Sequence, residues 1–415
     1  MTLCGMVRKT PEVRLYIYHS GYAIQGVFCI QDLGVYMTSA ERREARYQRR
    51  VAARETKRQK KLSQYDDFRL VADVDNLYAS FGRCKVGVSW KESIQRYEAN
   101  ALRNVLETRR KLFAGESIQS GFVEFTLRER GKIRHIKSVH ISERVVQKCL
   151  CDEVLVPILT NSLIYDNGAS VKNKGTHFAI RRFISHMTKF YRHNNHSNEG
   201  YVLMIDFSKY FDNIDHETLF ELLNEKINDS YVKQLTKDLI TVFGEGKSLG
   251  LGSQVSQVCA IFYPDILDHF IKEKLRIKYY GRYMDDLYLI HHDKNYLIYC
   301  LEKIKEVCDK LKITINQRKT IISKLSHGAE FLKGKYSLLP SGKILRRPVK
   351  TSTTRMRRKL IKFKTLLVQK KIGYNDIRTS YQSWRGNYKR RFDAYHRVHY
   401  MDRLYNKLFI YDHNT

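Results

Sequence analysis

The stretch YYGRYMDDLYLIH, Tyr279 to His291, decides the fold. Apolar and aromatic residues flank a tight turn at Met284–Asp285, which reads as strand, turn, strand and presents Asp285 and Asp286 at a hairpin tip. Upstream, YVLMI (Tyr201–Ile205) is an apolar run of strand length, and Asp206 stands at its end, where a buried strand meets a turn. Two strand ends therefore deliver three carboxylates. An all-oxygen set of this kind suits hard divalent cations such as magnesium. Two such ions, about 3.5–4 Å apart, would activate a 3′-hydroxyl and steady a leaving pyrophosphate, with no side-chain nucleophile needed.

Outward from the hairpin, Asp293 caps a predicted helix carrying Leu297, Leu301, Ile304 and Leu311, and Lys312–Asn316 returns to strand alternation. Strand–helix–strand implies a sheet backed by helices. From about Thr351 the chain reads as helix, with Met356, Leu360, Phe363 and Leu367 on one stripe and Arg and Lys elsewhere. Before the sheet, Phe122–Arg128 alternates, Gly131 turns the chain, and Ile133–Ile136 returns, a hairpin with a basic tip. Further upstream, Glu41–Lys61 is dense in Arg and Lys behind a capping-box pattern, Thr38 followed by Glu41, and reads either as a solvated basic helix or as a disordered basic arm. Either form would contact phosphate. Residues 1–36 differ in composition, and a chain begun at Met37 is expected to keep full activity. Loss of all activity on that truncation would refute the expectation.

With 415 residues, the chain exceeds the usual size of one domain, so two or three lobes are expected. Its 75 Lys and Arg against 43 acids leave a formal charge of +32, which favours a polyanionic partner, nucleic acid above all. No apolar run reaches the length of a membrane span, and residues 1–36 lack the pattern of a secretory signal, so no membrane partner and a cytoplasmic location are expected. The eight cysteines include no CxxC spacing. Cys149 and Cys151 sit among Val145, Val146, Leu150, Val154 and Leu155 at helical spacing and read as core thiols.

A four-letter Tyr-x-Asp-Asp string alone would arise by chance in roughly a few per cent of chains this long. DFSKYFDNIDH at Asp206–His216, placed upstream with room for helices between, makes the pattern specific. In order and detail, Phe122 to Leu338 resembles the palm and fingers of reverse transcriptases, and specifically those of bacterial retroelements. The resemblance implies an α+β right-hand polymerase with an antiparallel palm sheet, helices on one face, and a helical thumb. It implies a basic N-terminal extension over 1–61, fingers over 62–200, palm over 201–338 with fingers-proximal helices at 217–250, and thumb over 339–415.

Residue by residue, the resemblance implies metal binding and catalysis by Asp206, Asp285 and Asp286, with the Phe207 backbone carbonyl as a further ligand of two Mg²⁺ ions, for which Mn²⁺ could substitute. Phe211, five residues after Asp206, matches the aromatic side chain that blocks a ribose 2′-hydroxyl. The fingertip motif is matched by Gly131, Lys132 and Arg134, with Arg128 as a second triphosphate-binding cation. Asn316, Lys319 and Thr320 match N-x-x-K-T, with Lys319 near the incoming phosphates. Phe331–Gly334 resembles the primer grip. Tyr283 of the YxDD motif is expected to touch nucleic acid.

One departure stands out. Where most of the family has Pro-Gln-Gly, this chain has LGSQVSQ at Leu251–Gln257, so Leu251 replaces the glutamine and Gly252 follows beside the nucleotide site. That form, with NKGTH at Asn173–His177, resembles the enzymes of diversity-generating retroelements and related antiphage-defence groups. It implies loosened nucleotide selection.

Bland readings weigh against several residues. GEGKS at Gly244–Ser248 is no phosphate-binding loop, because Thr241 stands where that motif needs glycine. His177 and His216 read as capping or packing residues, and Asp212 and Asp215 as helix caps. The tail WRGNYKRRFDAYHRVHY (Trp384–Tyr400) interleaves aromatic and basic residues, which suits base stacking and backbone contact by Trp384, Arg385, Lys389 and Arg390. The function expected is RNA-directed DNA synthesis from dNTPs, giving cDNA of an RNA template. A dedicated non-coding RNA in antiphage defence is the favoured setting. Mutagenic cDNA synthesis in a diversity-generating retroelement, with an accessory protein, is the alternative. An integrase, endonuclease or RNase H within the same chain is not expected. A template-independent polymerase and a non-enzymatic RNA-binding scaffold remain rivals.

Overall fold

The computed structural model describes residues 38–129, 132–349 and 351–410, preceded by two short antiparallel strands, β1 (Tyr18–His19) and β2 (Tyr22–Ala23). Residues 1–17, 20–21 and 24–37, on which the Met37 expectation mostly rests, lie outside the described residues. Contacts divide the chain into two units, Met1–Lys61 and Leu62–Thr415. In the first, Ser39–Leu62 is a helix rather than a disordered arm. The capping box closes as its spacing requires: Glu41 N–H donates to Thr38 Oγ1 at 3.2 Å, and Thr38 N–H donates to the Glu41 carboxylate at 2.6 Å.

The second unit opens with helices Val74–Lys85, Glu92–Ala99 and Ala101–Ala114, which bury Leu77, Tyr97 and Val105 against Val145 and Val146 of helix Ile141–Cys149. Between them stands a hairpin of β3 (Phe122–Glu129) and β4 (Lys132–Val139), in register from Phe122↔Val139 to Glu129↔Lys132. Cys149 and Cys151 are buried free thiols, and burial pushes the Cys149 thiol up to about 12, so neither is poised as a metal ligand.

The central sheet joins β5 (Tyr201–Asp206), β6 (Tyr279–Tyr283), β7 (Asp286–His291) and β8 (Ile321–Lys324), antiparallel, in the order β6-β7-β5-β8. Leu203, Ile205, Leu287 and Leu289 pack on one side with Leu297, Cys300 and Ile304 of helix Lys294–Lys310, which Asp293 caps. Val202, Tyr288 and Ile290 pack on the other with Phe183, Met187 and Phe190 of helix Thr176–His193. The expectation of helices on one face is corrected: both faces are covered, and the unbroken apolar run YVLMI is the composition such a strand needs.

A second correction concerns Lys312–Asn316, which is not a strand. Lys312 has a left-handed φ of 52°, and the segment makes only the isolated bridge Phe207↔Ile315. The strand that flanks β5 is β8. After it, β9 (Ala329–Phe331), β10 (Gly334–Leu338) and β11 (Ile344–Pro348) form a three-stranded sheet, so strand structure continues past Leu338. Helices Thr351–Val368, Tyr374–Arg391 and Tyr395–Phe409 close around Met356, Leu360, Ile377, Tyr381, Met401 and Tyr405. The whole is α+β and fits the right-hand polymerase architecture. Among the described residues no helix is long and apolar enough to cross a membrane.

Candidate active site

The site is built where two apolar strands run out together. Asp206, the last residue of β5, is the Cα partner of Asp286, the first of β7, and Asp286 in turn pairs with Tyr283 at the end of β6. Phe207 N–H donates to the Asp285 carbonyl at 3.2 Å, locking the residue after β5 to the hairpin turn. The three acids therefore meet at one sheet end. Met284, first in the turn, holds a left-handed φ of 55°, normally glycine's place, at a cost of about 1–3 kcal/mol. Its side chain packs against the core, which stabilises a conformation the isolated hairpin would not favour.

Asp206 is 7% exposed and heavily bonded. Lys319 Nζ donates to both its oxygens, at 2.8 and 2.7 Å, and Asn316 Nδ2 donates to Oδ1 at 3.1 Å. The N-x-x-K-T spacing explains this. Asn316 N–H donates to the Asp206 carbonyl at 2.8 Å, and Lys319 and Thr320 N–H turn back onto the Asn316 carbonyl, which returns Lys319 to the carboxylate. Partial burial pulls the Lys319 ammonium down. The Asp206 hydrogen bond, with the charges of Asp206, Asp286 and Asp285, outweighs it and holds the group above the usual lysine range. One ammonium thus faces all three acids.

Beneath the turn lies a group that the sequence reading missed. Arg282 is fully buried and paired with Asp268, whose side chain is equally buried. Its Nε donates to both Asp268 oxygens at 2.9 Å, its Nη2 to Asp268 Oδ2 and to the Ile261 carbonyl at 2.7 Å each, and its Nη1 to the Met284 carbonyl at 3.3 Å. Burial works against the charge, and the Asp268 carboxylate more than offsets it, so Arg282 stays protonated. One guanidinium thereby ties the YxDD turn to helices Gln254–Phe262 and Asp265–His269. A signal was available: a charged residue inside YYGRYMDDLYLIH, a run with no alternation, has to be buried and needs a counter-ion.

The structure brings other expected residues to the same place. Phe211 packs partly buried against the core, and its carbonyl accepts from Leu249 N–H at 2.7 Å, which lays the Ser248–Gly252 segment alongside the Asp206 turn. Leu251 is half-buried. Gly252 has φ +115°, and a Cβ there would stand 3.3 Å from the Lys137 carbonyl, so this glycine lets the β3–β4 hairpin approach the start of helix Gln254–Phe262. Ser253 caps that helix. The Tyr283 hydroxyl lies 3.3 Å from Thr176 Oγ1, joining NKGTH to YxDD. Partial desolvation, then the charges of Arg390, Arg391 and Arg181, hold His177 below the usual histidine range, which puts Arg390 in the same positive neighbourhood.

Others stand elsewhere. Trp384 packs into the core of the C-terminal helices between Tyr381 and Tyr388, and Arg385 is held by Asp402 at 2.6 and 2.9 Å, whereas Lys389 and Arg390 are exposed. Asp215 caps helix His216–Asn224, and His216 is buried with Nε2 on the Ser248 carbonyl. Gly131 and the side chains of Arg128, Lys132 and Arg134 lie outside the described residues.

As placed, no group of three His, Cys, Asp or Glu among the described residues stands close enough to hold a metal ion. The donors nevertheless fit a hard divalent ion in kind: three carboxylates and a strand-end carbonyl at one sheet end, already facing a cation, Lys319. Asp206 is engaged by that ammonium, so a divalent ion bound there would compete with Lys319 for it.

A family model described as "Reverse transcriptase (RNA-dependent DNA polymerase)" matches residues 126–337, about half of the chain. No curated protein matches it. Solved structures similar to it include telomerase from Candida albicans in complex with a TWJ fragment of telomeric RNA, at 11% identity and TM-score 0.43, over 60% of this chain and 49% of that one. Apo telomerase from Candida tropicalis truncated from its C-terminal domain matches at 13% and 0.43, over 59% and 60%. Apo telomerase from Candida tropicalis matches at 12% and 0.40, over 55% and 48%. The chain thus spans about half to three-fifths of those telomerase chains.

Proposed function

The chain belongs to the reverse transcriptase (RNA-dependent DNA polymerase) family, and from that membership we propose that it adds deoxynucleotides to a primer 3′-end on an RNA template. The meeting of Asp206, Asp285 and Asp286 at one sheet end carries the reading. In it, these carboxylates and the Phe207 carbonyl would hold two Mg²⁺ ions. When bound, the ions supply activation of the primer hydroxyl and stabilisation of charge on the leaving pyrophosphate. Phe211 sits under the sugar and excludes a 2′-hydroxyl. Arg128 and Arg134 clamp the triphosphate, Lys319 serves the incoming phosphates from its place beside Asp206, and Tyr283 with Lys389 and Arg390 steadies the nucleic acid. The lobes in this reading are the N-terminal extension to 61, fingers to 200, palm to 338 and thumb beyond.

The finer reading is a bacterial retroelement-type enzyme that copies a dedicated non-coding RNA in antiphage defence, within the cytoplasm. LGSQVSQ favours a second setting, error-prone cDNA synthesis in a diversity-generating retroelement. Both predict low fidelity from the amide lost at Leu251, so Leu251→Gln is expected to lower the misincorporation rate in sequenced cDNA. An unchanged error spectrum would refute that link.

The test is to sequence nucleic acid that copurifies with wild type and with the Asp285→Ala, Asp286→Ala double variant. DNA complementary to one bound RNA, present only with wild type, supports templated synthesis and names the template. DNA without a complementary RNA points to template-independent extension. RNA bound equally to both, with no DNA despite added dNTPs and magnesium, favours a scaffold.

A further inference from the structure

The helix Ser39–Leu62 segregates its charge. At 100° per residue, its ten Arg and Lys fall within roughly half of the circumference, and its three Glu fall within the other half. Along the basic half, Arg42, Arg46, Arg50, Lys57 and Lys60 follow one another at spacings of three, four or seven, with Arg49 beside Arg50, each exposed. Like charges so spaced repel by a few tenths of a kcal/mol per pair. A helix meant only for solvent would interleave acids, yet of the three Glu only Glu55 has an Arg or Lys three or four residues on, Arg58. Glu44 is bonded to Gln48 instead. The 24 residues extend about 36 Å, a basic rail along one side of a rod.

We infer that this half-helix docks along a base-paired RNA stem rather than on the strand being copied. The inference rests on the proposed RNA-templated function for its choice of RNA. A membrane surface does not fit: the opposite half carries Glu, Gln and Ala, with Val51 and the terminal Leu62 its only large apolar residues, too few for a face that inserts. Seven arginines could equally fork onto guanine in duplex DNA, so the choice of RNA rests on the proposed function and a blunt DNA duplex is the control that decides it. Arg outnumbers Lys seven to three, which suits forked contacts to the phosphates of a paired stem. Phosphate neutralisation would also remove the repulsion along the rail and so stabilise the helix it binds.

The test uses the full chain and a blunt-ended RNA hairpin with no recessed 3′-end. One variant, R42Q/R46Q/R49Q/R50Q, removes charge. A second, E44R/R46E/Q48R/R50Q, keeps composition and net charge but breaks the one-sided pattern. Both are expected to bind the hairpin at least roughly tenfold more weakly near physiological salt, and the first to lower the slope of log affinity against log salt by about 3. Primer extension on an unstructured template, at saturating template, should be unchanged in both. The inference is overturned by wild-type hairpin affinity in both variants. It is equally overturned if the swapped variant alone retains affinity, if wild type binds a blunt DNA duplex as tightly as the hairpin, or if only phosphatidylserine vesicles need the helix. If wild type extends no primer on any template, the polymerase reading falls, while hairpin binding lost in both variants still upholds the docking site.

Discussion

Asp206→Asn is expected to lower primer extension by roughly a thousandfold or more, about 4 kcal/mol of transition-state stabilisation, while leaving the fold nearly as stable. The substitution keeps the shape of the side chain and a polar atom for Asn316. It removes the charge that faces Lys319 and that a divalent ion would need. Stability should change little because Lys319 is more than half exposed, and an ion pair so open to solvent is heavily screened. Activity and stability therefore separate. Lys319→Met should move differently: with the competing ammonium gone, the magnesium concentration for half-maximal extension is expected to fall, even if the maximal rate also falls. The measurements are extension rates across a magnesium titration, beside urea midpoints for each variant. An Asp206→Asn chain that keeps more than a tenth of wild-type activity would sink the role proposed for Asp206.

The sequence made the acidic corner of the sheet legible because that corner is local. Strand ends are marked where YVLMI and YYGRY meet acids, and the Asn316–Lys319 turn depends on four consecutive residues. The Thr38–Glu41 capping box and the Met356–Leu367 stripe were readable for the same reason, since each spans only a few helical turns. What stayed hidden needed partners distant in the chain. Nothing in Trp384–Arg385 announces that Asp402 will hold the arginine or that Tyr381 and Tyr388 will pack around the indole. Helix Thr176–His193 could not be assigned to the second sheet face from its own period. Lys312–Asn316 alternates like a strand, but its backbone groups bond to Ser208 and Asp206 rather than to a ladder.

Arg282→Met is expected to destabilise the protein by about 3–5 kcal/mol and to remove most extension activity from whatever remains folded. The loss follows from what the guanidinium leaves behind: the Asp268 carboxylate, buried, with the Tyr280 hydroxyl as its remaining side-chain donor, and the carbonyls of Ile261 and Met284 without this donor. Asp268→Asn should cost nearly as much, because it strands the arginine instead. The double variant Arg282→Met, Asp268→Leu distinguishes stability from positioning. An apolar pair of similar volume can replace a buried ion pair without loss, so its urea midpoint should recover much of the way to wild type. Extension should not recover, since neither new side chain can hold the Met284 carbonyl or join the turn that carries Asp285 and Asp286 to helix Gln254–Phe262. A deficit in maximal rate rather than in template affinity is the form this should take. If the double variant regained both stability and rate, Arg282 would be a buried charge that the fold tolerates, and the turn would owe its geometry to the packing of Met284 alone.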